Sequence, residues 1–491
     1  MKTNRREFFK IAGITGAGVL TGRLLSSCDQ KEKKELSSPL SVISETAAGT
    51  HTQLFNMSGY AAPKLETVRI GFIGLGMRGP GAVERMLKIE GVEIRALCDL
   101  KPDRIEKVQK MLSDSGLQAA KTYSGNTETW KELCQDPDLD LVYICTPWKL
   151  HTQMAVFAME NGKHAATEVP ACRTLNEAWQ LVETSESTRK HCMMLENCCY
   201  DFFELLTLNM ARQGFFGEIV HAEGAYIHDL RELKFSKEGY YPDMWRLREN
   251  QQRNGNLYPT HGLGPVCQVL NINRGDRMDY LTSMSTNDFQ MAEMAANLYK
   301  EDPFYKDFVT TGYRGNMNTT SVRTEKGKTI MIQHDTTSPR PYSRIHLVSG
   351  TKGVASKWPE PERIAQGHEW FDEVRMNEVR EQYYPEIVKR LGEIAKKIGG
   401  HGGMDFLMDW RLIDCLRNGL PLDQNVYDAA LWSSIAPLSE WSVANRSNSI
   451  QVPDFTCGSY KNNTPVDVGL TKGGNTGIKK LSKETASQLN I

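Results

Sequence analysis

Residues 68–100 read VRIGFIGLGMRGPGAVERMLKIEGVEIRALCDL, and no other stretch restricts the fold as tightly. Val68 to Ile73 is a short β-rich run. It leads directly into Gly74-x-Gly76-x-x-Gly79, then a helical pattern, then a second strand, VEIRALCD, that ends in Asp99. A bare G-x-G-x-x-G says little. Set between a strand and a helix, with an acidic residue twenty positions beyond Gly79, it is the dinucleotide fingerprint. The glycines let the backbone approach a pyrophosphate, which rests on the N-terminus of the helix. A carboxylate at Asp99 accepts from ribose hydroxyls and repels a 2′-phosphate, so NAD is expected rather than NADP. Met77 and Arg78 lie in the turn, where Arg78 can flank the phosphates.

The βα alternation continues. DLDLVYICTP is a buried strand, and WKLHTQMAVFAMENG opens a helix. KHAATEVP is another strand, TLNEAWQLVETSESTRK a helix and HCMMLEN a strand. Ligands in such sheets bind beyond the carboxyl ends of the strands. Trp148, Lys149, Leu150, His151, Glu168, Val169 and Asn197 fall at those ends and complete the expected cofactor set. His151 reads equally well as a helix-start residue with no ligand. The expected fold class is α/β, an N-terminal Rossmann domain over 67–197 followed by a second domain over 198–491.

Lys plus Arg number 59 and Asp plus Glu 60, so nothing favours a phosphate backbone as partner, and nucleic acid is excluded on charge. The 11 cysteines include no C-x-x-C pair and lie mostly in apolar runs such as LVYICTP, which reads as buried free thiols rather than a disulfide or metal framework. The N-terminus differs. TNRREFFKIAG, with Arg5-Arg6 before the run IAGITGAGVLTGRLL, is too short and glycine-rich to span a membrane and resembles a twin-arginine export signal. Leu25-Ser26-Ser27-Cys28 resembles a lipobox, with Cys28 as the lipidated residue. Residues 1–28 are therefore expected to be a signal and 29–66 a flexible tether. The protein is expected in the periplasm or outer envelope, touching membrane only through that anchor.

The order strand–GxGxxG, strand–Asp, TPxxxH, E-x-P resembles the glucose–fructose oxidoreductase (Gfo/Idh/MocA) family. That resemblance implies that the second domain is α+β, with an open, largely antiparallel sheet carrying the substrate site. Where the family's dehydrogenases have E-K-P, this chain has Glu168-Val169-Pro170, and Tyr258 stands where an aspartate is usual, with His261 kept. Simple reversible sugar oxidation is thereby put in doubt. GFIGLGMRG, TPWKLH, TEVP, NGNLYPTHGLGP and HGGMDFLMDWRL closely resemble glycoside hydrolase family 109, which implies an α-N-acetylgalactosaminidase. NAD would be held tightly and regenerated each turnover, through oxidation at C3, loss of the C2 proton with the C1 oxygen, water addition and re-reduction. The proton-transfer candidates are Tyr258, His261, Tyr226, His228 and His401. Of these, Tyr258, His261 and His401 are assigned the catalysis. By the resemblance Tyr226, Arg246, Tyr258 and Tyr342 contact the sugar, and His228 with Pro259, Thr260 and His261 of the YPTH run complete the substrate set. No metal is expected, the partner is a glycan with terminal N-acetylgalactosamine, and a homo-oligomer is left open. An exported sugar oxidoreductase with retained nucleotide and a non-enzymatic glycan-binding lipoprotein remain as alternatives. A cofactor made in the cytoplasm must be loaded before export, which is the work of a route for folded cargo.

Overall fold

The structure is a computed structural model describing residues 51–479. The expected signal, Cys28 and the first part of the tether lie outside the described residues. Six strands form the first sheet: β1 (Val68–Ile73), β2 (Val92–Cys98), β3 (Lys121–Tyr123), β4 (Leu141–Ile144), β5 (His164–Thr167) and β6 (Cys192–Met194). Their order is β3-β2-β1-β4-β5-β6, and every pairing is parallel. The order reverses between β1 and β4, and there the carboxyl ends open a crevice. Five helices cover this sheet: α1 (Gly79–Leu87), α2 (Pro102–Asp114), α3 (Thr129–Gln135), α4 (His151–Glu160) and α5 (Leu175–Thr188). A capping box between Thr174 and Glu177 starts α5.

Helix α6 (Phe202–Arg212) leads into an eight-stranded sheet of β7 (Ile219–Ile227), β8 (Met278–Ser285), β9 (Asn318–Thr324), β10 (Thr329–Asp335), β11 (Leu347–Gly350), β12 (Val354–Ser356), β13 (Arg363–Ala365) and β14 (Ile450–Gln451). The order is β13-β12-β11-β7-β10-β9-β8-β14. Only β7 with β10 is parallel; the remaining neighbours are antiparallel. Helices α7 (Trp245–Gln252) and α8 (Thr260–Val269) enter between β7 and β8. Gly262 of α8 lies against Gly224 of β7 so closely that a Cβ on Gly224 would meet the Gly262 carbonyl oxygen at 2.3 Å. That approach brings the start of α8 up to the sheet.

Two helices from late in the chain return to the Rossmann half. In α9 (Met404–Asn418) Asp409 accepts from Arg85 Nε at 2.7 Å and from Tyr143 Oη at 2.9 Å, all buried. Helix α10 (Val426–Ala444) lies against α5 and β8. Farther on, Ile478 pairs with Ile89, and the Lys479 N–H donates to the Lys88 carbonyl. One continuous apolar core thus runs through both sheets and the helices between them.

The described part of the expected tether, residues 51–66, is not free chain. Gln53 Nε2 donates to Tyr427 Oη at 2.8 Å, the Leu54 N–H donates to Glu186 at 2.7 Å, and Met57 is buried. Its few apolar residues suffice because α5 and α10 offer a ready-made surface. Among the described residues ten cysteines are free, eight of them buried. No helix there is long and apolar enough to cross a membrane.

Candidate active site

A cavity of about 1080 Å³ runs from the glycine-rich turn to the face of the second sheet, and residues of both lengths of chain line it. Gly74, Gly76, Met77, Arg78, Asp99, Trp148 to Leu150, Glu168, Val169 and Asn197 all contribute. Gly74 has φ +91°, and a Cβ there would meet the Cys145 carbonyl oxygen at 2.7 Å. At Gly76 an added Cβ would approach protein no closer than the Arg104 guanidinium at 3.5 Å. That glycine therefore keeps open a space in the cavity, which suits the passage of a dinucleotide's phosphates. Gly79 does not line the cavity. Its hydrogen faces the Gly74 carbonyl oxygen, which a Cβ would meet at 2.2 Å, so its role is the close join of strand and helix.

The Asp99 carboxylate is braced by the N–H groups of Leu75 (2.7 Å) and Lys101 (2.9 Å), with Arg104 at 3.5 Å. His151 also lines the cavity, but its ring is held by protein groups. It has no exposed surface, and its ring nitrogens lie 2.7 Å from the carbonyl oxygens of Thr146 and Pro170. It ties two strand-end turns together, the helix-start alternative. Trp148 belongs to both halves. Its ring stacks on Tyr258 at 5.5 Å, and the Arg246 guanidinium lies 5.1 Å from it.

Beyond the strand ends stand Tyr226 at the end of β7, Arg246 in α7, and Tyr258 and His261 at the entrance of α8. His261 Nδ1 is 2.7 Å from Glu196 Oε1, and Glu196 has no exposed surface. Burial alone would raise the Glu196 carboxyl, but the charge and hydrogen bond of His261 hold it below its ordinary range. With Nδ1 so engaged, Nε2 is the nitrogen left to act. Cys198 Sγ shares this cluster; burial raises that thiol well above its usual range, so it stays protonated. Tyr258 has Arg246 4.8 Å from its ring, yet burial prevails over the cation and pushes the phenol well above 10. Tyr258 thus stands as a proton-bearing phenol. Burial likewise pushes Tyr226 up to about 12, and its Oη lies 3.2 Å from His228 Nδ1. Burial, then Arg246, depresses His228, keeping it neutral.

Arg246 is buried among aromatic rings with Nη1 donating to Tyr241 Oη at 2.6 Å, and its Nη2 has no protein partner. A buried donor left open costs about 1–3 kcal/mol, so an oxygen-rich ligand is what this end of the cavity calls for. Tyr342 lies opposite, its Oη accepting from Arg344 at 3.3 Å. Pro259 and Thr260 are turned away. Both are buried and neither lines the cavity, because Pro259 precedes the first turn of α8 and Thr260 points into the core. His401 lines the cavity and is half exposed, with Nδ1 2.9 Å from Asp405 Oδ2.

Sequence reasoning missed Glu196, Asp405, Tyr241 and Trp245. Two of them had a local signal: Glu196 adjoins Asn197 at the strand end, and Asp405 follows His401 by one helical turn. The aromatic pair did not, since Tyr241 and Trp245 sit in an irregular segment.

The family description "Oxidoreductase family, NAD-binding Rossmann fold" matches residues 68–196, and "Glycosyl hydrolase 109, C-terminal domain" matches residues 200–462. The chain belongs to glycosyl hydrolase family 109. It is 51% identical over 414 residues to Glycosyl hydrolase family 109 protein 1 of Phocaeicola vulgatus, covering 81% of this chain and 86% of that one. It is 50% identical over 407 residues to a Bacteroides fragilis protein named alpha-N-acetylgalactosaminidase, covering 82% and 95%. An NAD binding oxidoreductase from Klebsiella pneumoniae shares the fold at 17% identity, with TM-score 0.61 over 79% of this chain and 99% of that one. This family 109 chain is therefore a glycoside hydrolase built on a dehydrogenase-like scaffold, with a nicotinamide nucleotide domain.

Proposed function

We propose that the protein is an NAD-dependent α-N-acetylgalactosaminidase. The observation that carries this reading is a single cavity joining a dinucleotide turn to a histidine–carboxylate pair. Gly74 to Arg78, Asp99, Glu168 and Asn197 would hold the cofactor, which supplies reversible hydride acceptance at C3 of the sugar. With C3 at the ketone level, the C2 proton becomes acidic, and His261 Nε2 is the base for it, oriented by Glu196 behind. Arg246, which lines the same cavity, would stabilise the oxygen on which charge then develops. Tyr258 and Tyr226, both phenols, donate to sugar oxygens, and His401 is available to protonate the leaving C1 oxygen. Water adds to the resulting enone at C1. His261, its proton exchanged with solvent, protonates C2, and C3 is restored to the alcohol level by the hydride taken from it. Glu196 and Asp405 lie buried behind their histidines, so neither carboxylate is placed for direct displacement.

We further propose that the protein is exported folded with its nucleotide held tightly, consistent with Arg5-Arg6, and is lipid-anchored at Cys28. The mechanism is tested by hydrolysing an aryl α-N-acetylgalactosaminide in D₂O. Deuterium at C2 of the released sugar is expected. Sugar without it, together with no isotope effect from C2- or C3-deuterated substrate, would overturn the elimination route.

A further inference from the structure

Asp405, the second residue of α9, is 1% exposed, and four side chains from four parts of the chain converge on it. Its Oδ2 is 2.9 Å from His401 Nδ1, 3.3 Å from Arg78 Nη1 and 3.6 Å from Arg85 Nη1, and its Oδ1 accepts from Asn197 Nδ2 at 2.5 Å. Arg78 belongs to the glycine-rich turn, Arg85 to α1, Asn197 to the end of β6, and His401 to the loop before α9. Burial alone would raise this carboxyl; the His401 hydrogen bond and the charges of Arg78 and Arg85 instead hold it well below the ordinary range. It is an anion, hence an acceptor only.

The loop that carries His401 is built around it. Residues 399–403, Gly-Gly-His-Gly-Gly, have φ of +91°, +83°, +47°, +73° and +106° in turn. The left-handed region is unfavourable for a histidine, and such a conformation persists only where its surroundings impose it. A Cβ on Gly400 would lie 2.7 Å from Asp405 Cβ and 3.1 Å from Arg85 Cδ, and one on Gly403 would lie 2.7 Å from the Ala395 carbonyl carbon. The four glycines thus let the loop close tightly over Asp405, leaving His401 half exposed to the cavity. Arg78 Nη1 is also 3.4 Å from His401 Nδ1, but one nitrogen cannot both donate to Asp405 and accept from Arg78. The shorter contact to an anion decides: Nδ1 carries the proton and Nε2 faces outward.

We propose that Asp405 is a positioning residue that sets both the tautomer of His401 and the seat of Arg78 and Asn197, so that one buried carboxylate assembles the nucleotide site and the His401 loop together. This rests on the glycosidase reading only where His401 is called a proton-transfer group. A purely structural ion pair would share the burial, but would not tie nucleotide retention to a histidine tautomer.

The test uses the full-length holoprotein with ¹⁵N-labelled histidine, at alkaline pH where imidazoles are neutral. The His401 resonances are assigned by their loss in His401→Gln. The native ring should carry its proton on Nδ1. In Asp405→Ala it should revert to the Nε2–H form favoured in water, and bound nucleotide should dissociate about tenfold faster or more, the scale of a lost supporting contact. Arg78→Lys should weaken nucleotide retention while leaving the tautomer alone, and His401→Gln should retain nucleotide. A native Nε2–H tautomer overturns the proposal even if Asp405→Ala fails to fold. An Asp405→Ala protein in which tautomer or retention changes alone overturns the shared hold. Neither readout uses a sugar, so the proposal can fail while aryl glycoside turnover still supports the proposed activity, and the reverse.

Discussion

Replacing Glu196 with glutamine probes the acid–base pair with the least disturbance to packing. Glu196 Oε1 accepts from His261 Nδ1 at 2.7 Å and from the Cys198 N–H at 3.1 Å, in a site with no exposure. The amide has nearly the same volume, so the fold should survive. What goes is the negative charge, and with it the preference for a proton on Nδ1. A glutamine NH₂ turned toward the ring would donate to Nδ1 and place the proton on Nε2, the nitrogen that must accept from C2. A hydrogen bond to a charged group contributes about 1.5–3 kcal/mol. At 1.36 kcal/mol per tenfold in rate the loss is about 10- to 150-fold in kcat. The proposed sugar contacts of Tyr226, Arg246 and Tyr342 and the nucleotide turn are untouched, so KM and bound nucleotide should change little. The assay is steady-state release from an aryl α-N-acetylgalactosaminide, with nucleotide per chain measured after denaturation. A kcat within about twofold of native, at full nucleotide content, would refute the role given to this carboxylate, since such a change is far below the expected loss.

Gly79→Ala forces a Cβ to within 2.2 Å of the Gly74 carbonyl oxygen. The turn must open, and the purified protein should lose its nucleotide; full nucleotide content would refute the close-join reading. Burial depresses His164 to about 3 and His191 well below its usual range, with the His191 N–H donating to His164 Nδ1 at 3.0 Å. The unfolded chain binds these protons at about 6.5, so stability is complete above that pH and lost as pH falls from about 6.5 toward 3. In His164→Asn, which keeps an acceptor there, the unfolding free energy from urea titrations should fall by about 2 kcal/mol less than native between neutral pH and roughly pH 5; equal losses would refute it. Arg5-Arg6→Lys-Lys should leave the protein in the cytoplasm, and Cys28→Ala should release it from membranes, both read by fractionation; unchanged distributions would refute the folded-export and anchor readings respectively.

The amino-acid sequence determined by itself whatever depends on a few neighbouring residues. The spacing of Gly74, Gly76 and Gly79 after an apolar strand dictates a turn that only such a spacing permits, and Asp99 follows at the end of the next strand of the same unit. Tyr258 and His261 were likewise legible, because the YPTH run puts them on one side of a helix entrance. Only the tertiary structure decided which candidate side chains are free to meet a ligand. Thr260 points inward to the core and His151 spends both ring nitrogens on carbonyl groups, directions set by how α4 and α8 pack. It also decided the charge pairings. Glu196 meets His261 across 65 positions, and Asp405 meets Arg78 across 327. Residues 51–66 read as tether because their composition is polar; the surface that holds them is made by α5 and α10, far away in the chain. Backbone conformation is governed by nearest neighbours and side-chain periodicity, which a linear text records. A buried charge, in contrast, is tolerated only where folding brings it a partner, and that partner is chosen by packing over the whole chain.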